Sequence, residues 1–254
     1  MKPRISYTIW FSQRNGSSLL CEALASTGIA GKPGEHFLMP TNTSWFDFYQ
    51  ARNYEELQQN LWQVGMTANG VFGIKVQAPK KINDPRIDEL AKFPGISKSQ
   101  PTNYEVWGNA FPNGKHIFLT RRNKVRQAVS WWKAIVTDEW HRESGKACTY
   151  PVANIKGRYD FNAIRHLLLE ANFIENRTQD FLNEGKIAPL TIVYKDFNKE
   201  YEETVRRIVD FLGIAETSYL IEKPYYEQLA DKVSVEWTER FRVEMQQDWE
   251  KKIW

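Results

Sequence analysis

Two arginines set the chemical question. Arg14 opens the turn Arg14-Asn15-Gly16-Ser17-Ser18-Leu19, and Arg122 stands eight residues before Ser130. Each follows an apolar run, Tyr7-Thr8-Ile9-Trp10-Phe11 in one case and His116-Ile117-Phe118-Leu119-Thr120 in the other, and each introduces a helical pattern. A strand that breaks into a polar turn and then a helix is suited to holding an anion, because the first N–H groups of the helix lack intrahelical acceptors and lie at its positive end. Gly16 lets the backbone approach the anion closely, the N–H groups of Ser17, Ser18 and Leu19 donate to it, and Arg14 adds a fixed charge with a planar fork of donors. If a helix begins near Asn123, Arg122 lies at its mouth and Ser130 about two turns further along, so both meet one anion only if it lies along the helix side. Two such turns imply a ligand with two separated anionic groups. For the first loop taken alone, a tight turn without a ligand is the competing reading.

The rest of the chain narrows the ligand class. No Gly-x-x-x-x-Gly-Lys-Ser/Thr loop is present, which disfavours a nucleoside or small-molecule kinase. The four histidines, at 36, 116, 141 and 166, have no Cys or carboxylate spacing that suggests a metal site. The net charge is +3 from 34 basic and 31 acidic residues, too balanced for a nucleic-acid partner. Only Cys21 and Cys148 occur, and Met1-Lys2-Pro3-Arg4 enters a strand without a charged-then-apolar leader, so the expectation is a reduced, cytoplasmic protein. No apolar stretch reaches the length of a membrane span.

The elements that must position these residues alternate. The pattern predicts strands at 5–11, 71–76, 116–120 and 190–194, and helices at 17–27, 53–65, 123–136, 160–184, 200–212 and after about 235. Such alternation gives a single α/β domain over 1–254, a mostly parallel sheet with helices on both faces, with ligands at the carboxyl ends of the strands. Phe161, Ile164, Leu167, Leu168, Ala171, Ile174 and Phe181 form one face of the long helix and read as core. Asn69-Gly70 and Asn113-Gly114 mark turns. The stretches 79–115 and 137–158 read as long irregular connections, the candidate walls of an acceptor site.

The Arg, seven residues, Ser pattern after a strand resembles the 3′-phosphate site of sulfotransferases that use 3′-phosphoadenosine 5′-phosphosulfate (PAPS), and the Arg14 loop resembles their 5′-phosphosulfate loop. Tyr194-Lys195-Asp196-Phe197 and the helix ending at Gly213 resemble the family's late strand-turn-helix. Within that family the chain is similar to the bacterial trehalose 2-sulfotransferase (Stf0-type) branch. The similarity rests on Arg14-Asn15-Gly16-Ser17-Ser18-Leu19-Leu20-Cys21-Glu22, Thr27 to Phe37, Phe72-Gly73-Ile74-Lys75 and Gln127 to Ala134, with Asn15 and Ser18 departing from the branch's more usual Thr-Gly-Ser-Thr. The resemblance implies a P-loop-like three-layer fold without a metal. It also implies sulfuryl transfer from PAPS to a hydroxyl of a carbohydrate or glycolipid, with 3′-phosphoadenosine 5′-phosphate (PAP) as product, and a homodimer whose partner closes the acceptor site. A catalytically silent nucleotide-binding protein of the same fold is the competing class.

In this reading Arg14 and the amides of Gly16 to Leu19 hold the phosphosulfate, while Arg122 and Ser130 hold the 3′-phosphate. The resemblance places the branch's general base at Glu35, a residue that by itself reads as a solvated carboxylate near a helix start. His36 is the rival base, since animal sulfotransferases use His. Lys75 ends an otherwise buried strand and either reaches an anion or snorkels to the surface. Trp45 is either a sugar-stacking face or ordinary core. Lys232, Arg240 and Arg242 are further candidates for phosphate contact.

Overall fold

A computed structural model describes residues 1–96, 101–150, 155–227 and 229–253, the Lys156 side chain excepted. Four strands, β1 (Ile5–Trp10), β2 (Val71–Val76), β3 (Gly114–Thr120) and β4 (Leu190–Val193), form a wholly parallel sheet in the order β2-β1-β3-β4. In this register Ile9 lies beside Lys75 and Ile117. The carboxyl ends of β1, β2 and β3 therefore share one edge, where the Arg14 turn, Lys75 and the Arg121-Arg122 turn all emerge.

The period-two alternation of the strands separates the two faces of the sheet. Trp10, Phe72, Ile74, Val76 and Phe118 face one way. They meet α3 (Tyr54–Gly65), α4 (Pro85–Leu90) and α5 (Asn103–Ala110), with α2 (Trp45–Tyr49) beside α3. Tyr7, Ile9, Val71, Ile117, Leu119 and Ile192 face the other way, against α1 (Ser17–Ser26) and α9 (Tyr201–Leu212). A third cluster joins α6 (Lys124–Thr137), α7 (Phe161–Glu184) and α10 (Lys232–Met245), and the long α7 buries Ile164, Leu167, Ala171, Ile174 and Phe181 as its sequence stripe predicts. Between β4 and α9 the chain makes the short α8 (Tyr194–Lys199).

The expectation of an irregular 79–115 is corrected, because α4 and α5 lie within it. Both are short, so neither shows a long period, but each carries its own start signal. Asp84 caps α4 with Pro85 in the first turn, and Thr102 and Glu105 form a reciprocal capping box on α5. The last helix starts at Lys232, capped by Asp231. The 137–158 connection is irregular from Asp138 to Tyr150 and makes a 3-10 turn at Lys156–Arg158, with 151–154 outside the described residues. Its first half folds around buried Glu139, which accepts from Arg142 and Thr149. It is tied to the later chain by Ser144 N–H to Tyr225 C=O and Glu227 N–H to Arg142 C=O, each 2.9 Å.

Candidate active site

The Arg14 loop is fixed from three sides. The buried Asn15 donates from Nδ2 to the Leu119 carbonyl at 2.7 Å, so its side chain anchors the loop to β3. Arg121 donates to the Arg14 carbonyl at 3.1 Å and lies 5.1 Å over the Tyr194 ring. That ring in turn covers Gly16, where a Cβ would fall 2.3 Å from Tyr194 Cδ2 and φ is +91°. No other residue fits there without strain. Gly16 is also the N-cap of α1 and offers no side-chain cap, whereas Asn53, Asn123 and Asp160 cap α3, α6 and α7. The first-turn amides of α1 are thus left to an external acceptor, the arrangement that binds an anion.

Arg14 reaches across the site. Its Nε donates to Ser130 Oγ at 3.2 Å and its Nη1 to the Trp140 carbonyl. Burial first, and then the charge of Arg121, lowers its pKa to about 10, which leaves it cationic at neutral pH. Ser130 therefore receives Arg14 on its oxygen lone pairs. Thr137, Thr178 and Thr238 spend their hydroxyl protons on the carbonyl four residues earlier. The Ser130 proton has no such acceptor among the described residues.

Glu35 and Lys75 meet at the end of β2. The chain after α1 turns at Gly31 (φ +73°), where a Cβ would lie 2.9 Å from the Gly73 nitrogen, and runs along β2 with Lys75 N–H donating to the Gly34 carbonyl at 2.8 Å. This lays Glu35 against Lys75. The Lys75 ammonium is 3.5 Å from Glu35 Oε2, 3.2 Å from Ser18 Oγ and 5.0 Å over the Phe11 ring. Its side chain is only 8% exposed, so it does not snorkel to the surface, and it joins the Glu35 carboxylate to the first turn of α1. Glu35 itself remains 39% exposed, open to an incoming group.

His36 has a different place. Its Nε2 is 3.0 Å from the Gly73 carbonyl, its ring sits on Phe72, and burial lowers its pKa. Trp45 stacks on Phe37 with ring centres 4.9 Å apart, in the aromatic cluster that also holds Trp107 and Phe111. Both residues brace the loop that carries Glu35; like Glu35 and Lys75, which reach the site through Ser18, they do not line the large cleft described next.

That cleft, of about 970 Å³, runs from the Arg14 loop along α6 to α8 and the start of α10. It brings together Arg14, Gly16 to Leu19, Arg122 and Ser130, the two anion turns separated in sequence by about a hundred residues. Arg122 makes a bidentate pair with Asp196, 2.7 and 2.6 Å, and each partner holds the other ionised. His141 also lines the cleft, over the Tyr226 ring at 4.9 Å. Burial first, then the charges of Arg14 and Lys75, hold its pKa below the ordinary histidine value. Lys232, Arg240 and Arg242 do not line the cleft.

Beneath the loops, Glu175 of α7 accepts from Ser12 at 3.0 Å and Thr120 at 2.9 Å and pairs with Lys124. Gln127 donates to Ser12 and to the Gln13 carbonyl, 2.8 and 2.7 Å. The network fastens the ends of β1 and β3 to α6, so both turns keep a fixed separation. Sequence reasoning did not single out Arg121, Glu175, Tyr194 or Trp140 as site residues. Arg121 stood next to Arg122, and Tyr194 stood in a recognised motif, but Glu175 and Trp140 left no local signal. Among the described residues no group of three or more His, Cys, Asp or Glu could hold a metal ion, and no helix is long and apolar enough to cross a membrane.

Comparison with known proteins gives the chain's family. The trehalose 2-sulfotransferase of Mycolicibacterium smegmatis is 29% identical over 270 aligned positions, covering 96% of each chain. That of Mycobacterium tuberculosis is 27% identical, covering 94% of each. Among solved structures, the sulfotransferase from Alicyclobacillus acidocaldarius aligns with a TM-score of 0.46 at 16% identity, over 94% of this chain and 91% of the other. The sulfotransferase domain of the Synechococcus PCC 7002 olefin synthase aligns with a TM-score of 0.39 at 15% identity, over 94% and 95%. The family model for Stf0 sulphotransferases matches residues 6–244, nearly the whole chain with both anion turns and Glu35, and the chain belongs to that family of sulfotransferases.

Proposed function

We propose that this sulfotransferase moves a sulfuryl group from PAPS to a hydroxyl of a sugar or glycolipid, with Glu35 as general base. The observation that carries the reading is the line Glu35, Lys75, Ser18, which puts a half-exposed carboxylate one ammonium away from the uncapped first turn of α1. PAPS, when bound, supplies the sulfuryl group and leaves as PAP. The residues present fit such a donor, since a cleft lined by Arg14, Arg121, Arg122 and Arg126, with a Ser130 hydroxyl proton that has no acceptor among the described residues, suits two anionic groups.

The work falls to the chain's own groups. The α1 amides and Arg14 hold the phosphosulfate end, where the donors are already oriented before charge develops on the leaving phosphate. Glu35 takes the proton of the acceptor hydroxyl, and Lys75 keeps a positive charge between that base and the sulfuryl position. Arg122 and Ser130 hold the 3′-phosphate. A sugar acceptor agrees with the trehalose 2-sulfotransferases among the relatives. The assembly proposed is a homodimer, checked by sedimentation.

The test is labelled sulfate transfer from PAPS to trehalose and a panel of sugars and glycolipids, with Glu35→Gln and His36→Ala beside the parent. Glu35→Gln lowers the transfer rate by about 10²–10⁴-fold with PAP affinity retained. His36→Ala keeps substantial activity, because its ring is turned to the Gly73 carbonyl. A dead His36→Ala with an active Glu35→Gln moves the base to His36, and PAP binding without transfer to any acceptor leaves a nucleotide-binding protein.

A further inference from the structure

We infer that Arg126 is the second guanidinium of the 3′-phosphate seat, completing it with Arg122 and Ser130; the inference rests on the PAPS reading above. Arg122, Arg126 and Ser130 are spaced by four, and four residues advance a helix by one turn plus about 40°. All three line the cleft, Arg126 and Ser130 from adjacent turns of α6 and Arg122 from the turn just before it. Sequence reasoning stopped at the outer two.

The charges point to the middle one. The terminal nitrogens of Arg122 are both engaged by Asp196, at 2.7 and 2.6 Å, so its fork already faces a carboxylate. The Arg126 side chain has no ion pair or hydrogen bond among the described residues. Its backbone N–H alone is engaged, by the Asn123 cap at 2.9 Å. Arg126 also adds its charge to the surroundings of Arg121, whose pKa is lowered chiefly by burial and further by Arg126. Arg121, Arg122 and Arg126 thus gather at the head of α6, where Asp196 pairs with Arg122 alone, and a dianionic phosphate monoester suits that positive cluster. The Ser130 hydroxyl proton, without an acceptor among the described residues, can donate to the same anion.

The C-terminal helix does not supply this cation. Arg240 pairs with Glu244 at 2.7 Å and covers the Tyr159 ring, Arg242 pairs with Glu239 at 3.2 Å, and α10 lends the cleft only Ser234 and Val235 after its cap Asp231. Of the two residues the sequence assigned to this seat, Arg122 is paired with Asp196 and Ser130 carries no charge. Arg126 provides a guanidinium that has no ion pair or hydrogen bond among the described residues, beside the cleft lysines Lys195 and Lys199.

The experiment compares PAP with adenosine 5′-monophosphate, which lacks the 3′-phosphate, by calorimetry on the full chain. The parent binds PAP more tightly. Arg126→Ala weakens PAP by roughly tenfold or more and leaves the monophosphate unchanged, so the preference collapses, and Arg126→Lys restores part of it by returning charge without the fork. Arg240→Ala, outside the cleft, keeps the preference. A parent that prefers PAP and an Arg126→Ala protein that prefers it equally would overturn the role of Arg126 while the donor reading stands. Collapse in Arg240→Ala instead assigns the second cation to α10 and likewise overturns it. A parent that does not distinguish the two nucleotides overturns the donor reading itself. Circular dichroism of each variant separates lost contacts from lost folding.

Discussion

Two regions of the site, the end of β2 beside the Arg14 loop and the head of α6, hold their charges in opposite ways. At the end of β2, Lys75 is 8% exposed and wired to Glu35, Ser18 and the Phe11 face; at the head of α6, Arg122 is 62% exposed and its partner Asp196 is 49% exposed. A charge taken out of water is costly unless its partners are fixed, and once fixed it acts without rearrangement when new charge develops. A charge left in water costs little and its pairing contributes little, so it can exchange one anion for another. Under the proposed function, the buried region suits the reacting group and the exposed region suits capture and release of the nucleotide.

The strongest way to break this contrast is at the buried end. Lys75→Met keeps the apolar stem over Phe11 and removes the charge between Glu35 and Ser18. The transfer rate should fall by about 10²–10³-fold, as for loss of a preorganised electrostatic partner, with PAP affinity within a few fold of the parent. Single-turnover transfer beside calorimetry reads both quantities. A rate that survives would make Lys75 a structural filler and erase the difference between the ends.

At the exposed end the effects are smaller and fall on binding. Arg122→Ala should weaken PAP by roughly tenfold, and Ser130→Ala by less, because it removes one neutral donor. Both should leave the rate at saturating donor near the parent's. If the rate falls and PAP binding stays, Arg122 belongs with the chemistry instead of the anchor.

The smallest effect concerns the core beneath the buried end. His116 accepts from Trp10 Nε1 at 3.0 Å and stacks on that ring, and burial lowers its pKa from 6.5 to about 4. Between those values the unfolded chain binds a proton that the folded one refuses, so stability rises with pH across that window and falls on acidification from about 6.5 toward 4. Replacing His116 by Gln, which retains an acceptor, should make this slope shallower. Melting temperatures of both proteins from pH 7 to pH 4 check it, and parallel curves would count against a neutral, buried His116.

The parts of the site legible in the sequence were those written in consecutive residues. The strand-turn-helix at Arg14 and the one at Arg122 showed because a few adjacent residues decide where a strand stops and a helix begins. The stripe of α7 showed because 3.6-residue periodicity is a local property. The helices α4 and α5 did not, since six and eight residues are too few for a period to emerge, although their caps at Asp84 and Thr102 were present.

What the sequence by itself determined, then, is the kind of element at most positions and the type of anion site at the two turns, because backbone propensity and unpaired helix amides are local physics. Only the tertiary structure decided the partners: Lys75 with Glu35 and Ser18, Arg14 with Ser130, Arg122 with Asp196. Those pairings follow from the strand order β2-β1-β3-β4, which sets the ends of β2 and β3 on either side of the Arg14 turn. Strand order is fixed by how the apolar faces of distant segments bury one another, a quantity that no window of neighbouring residues contains.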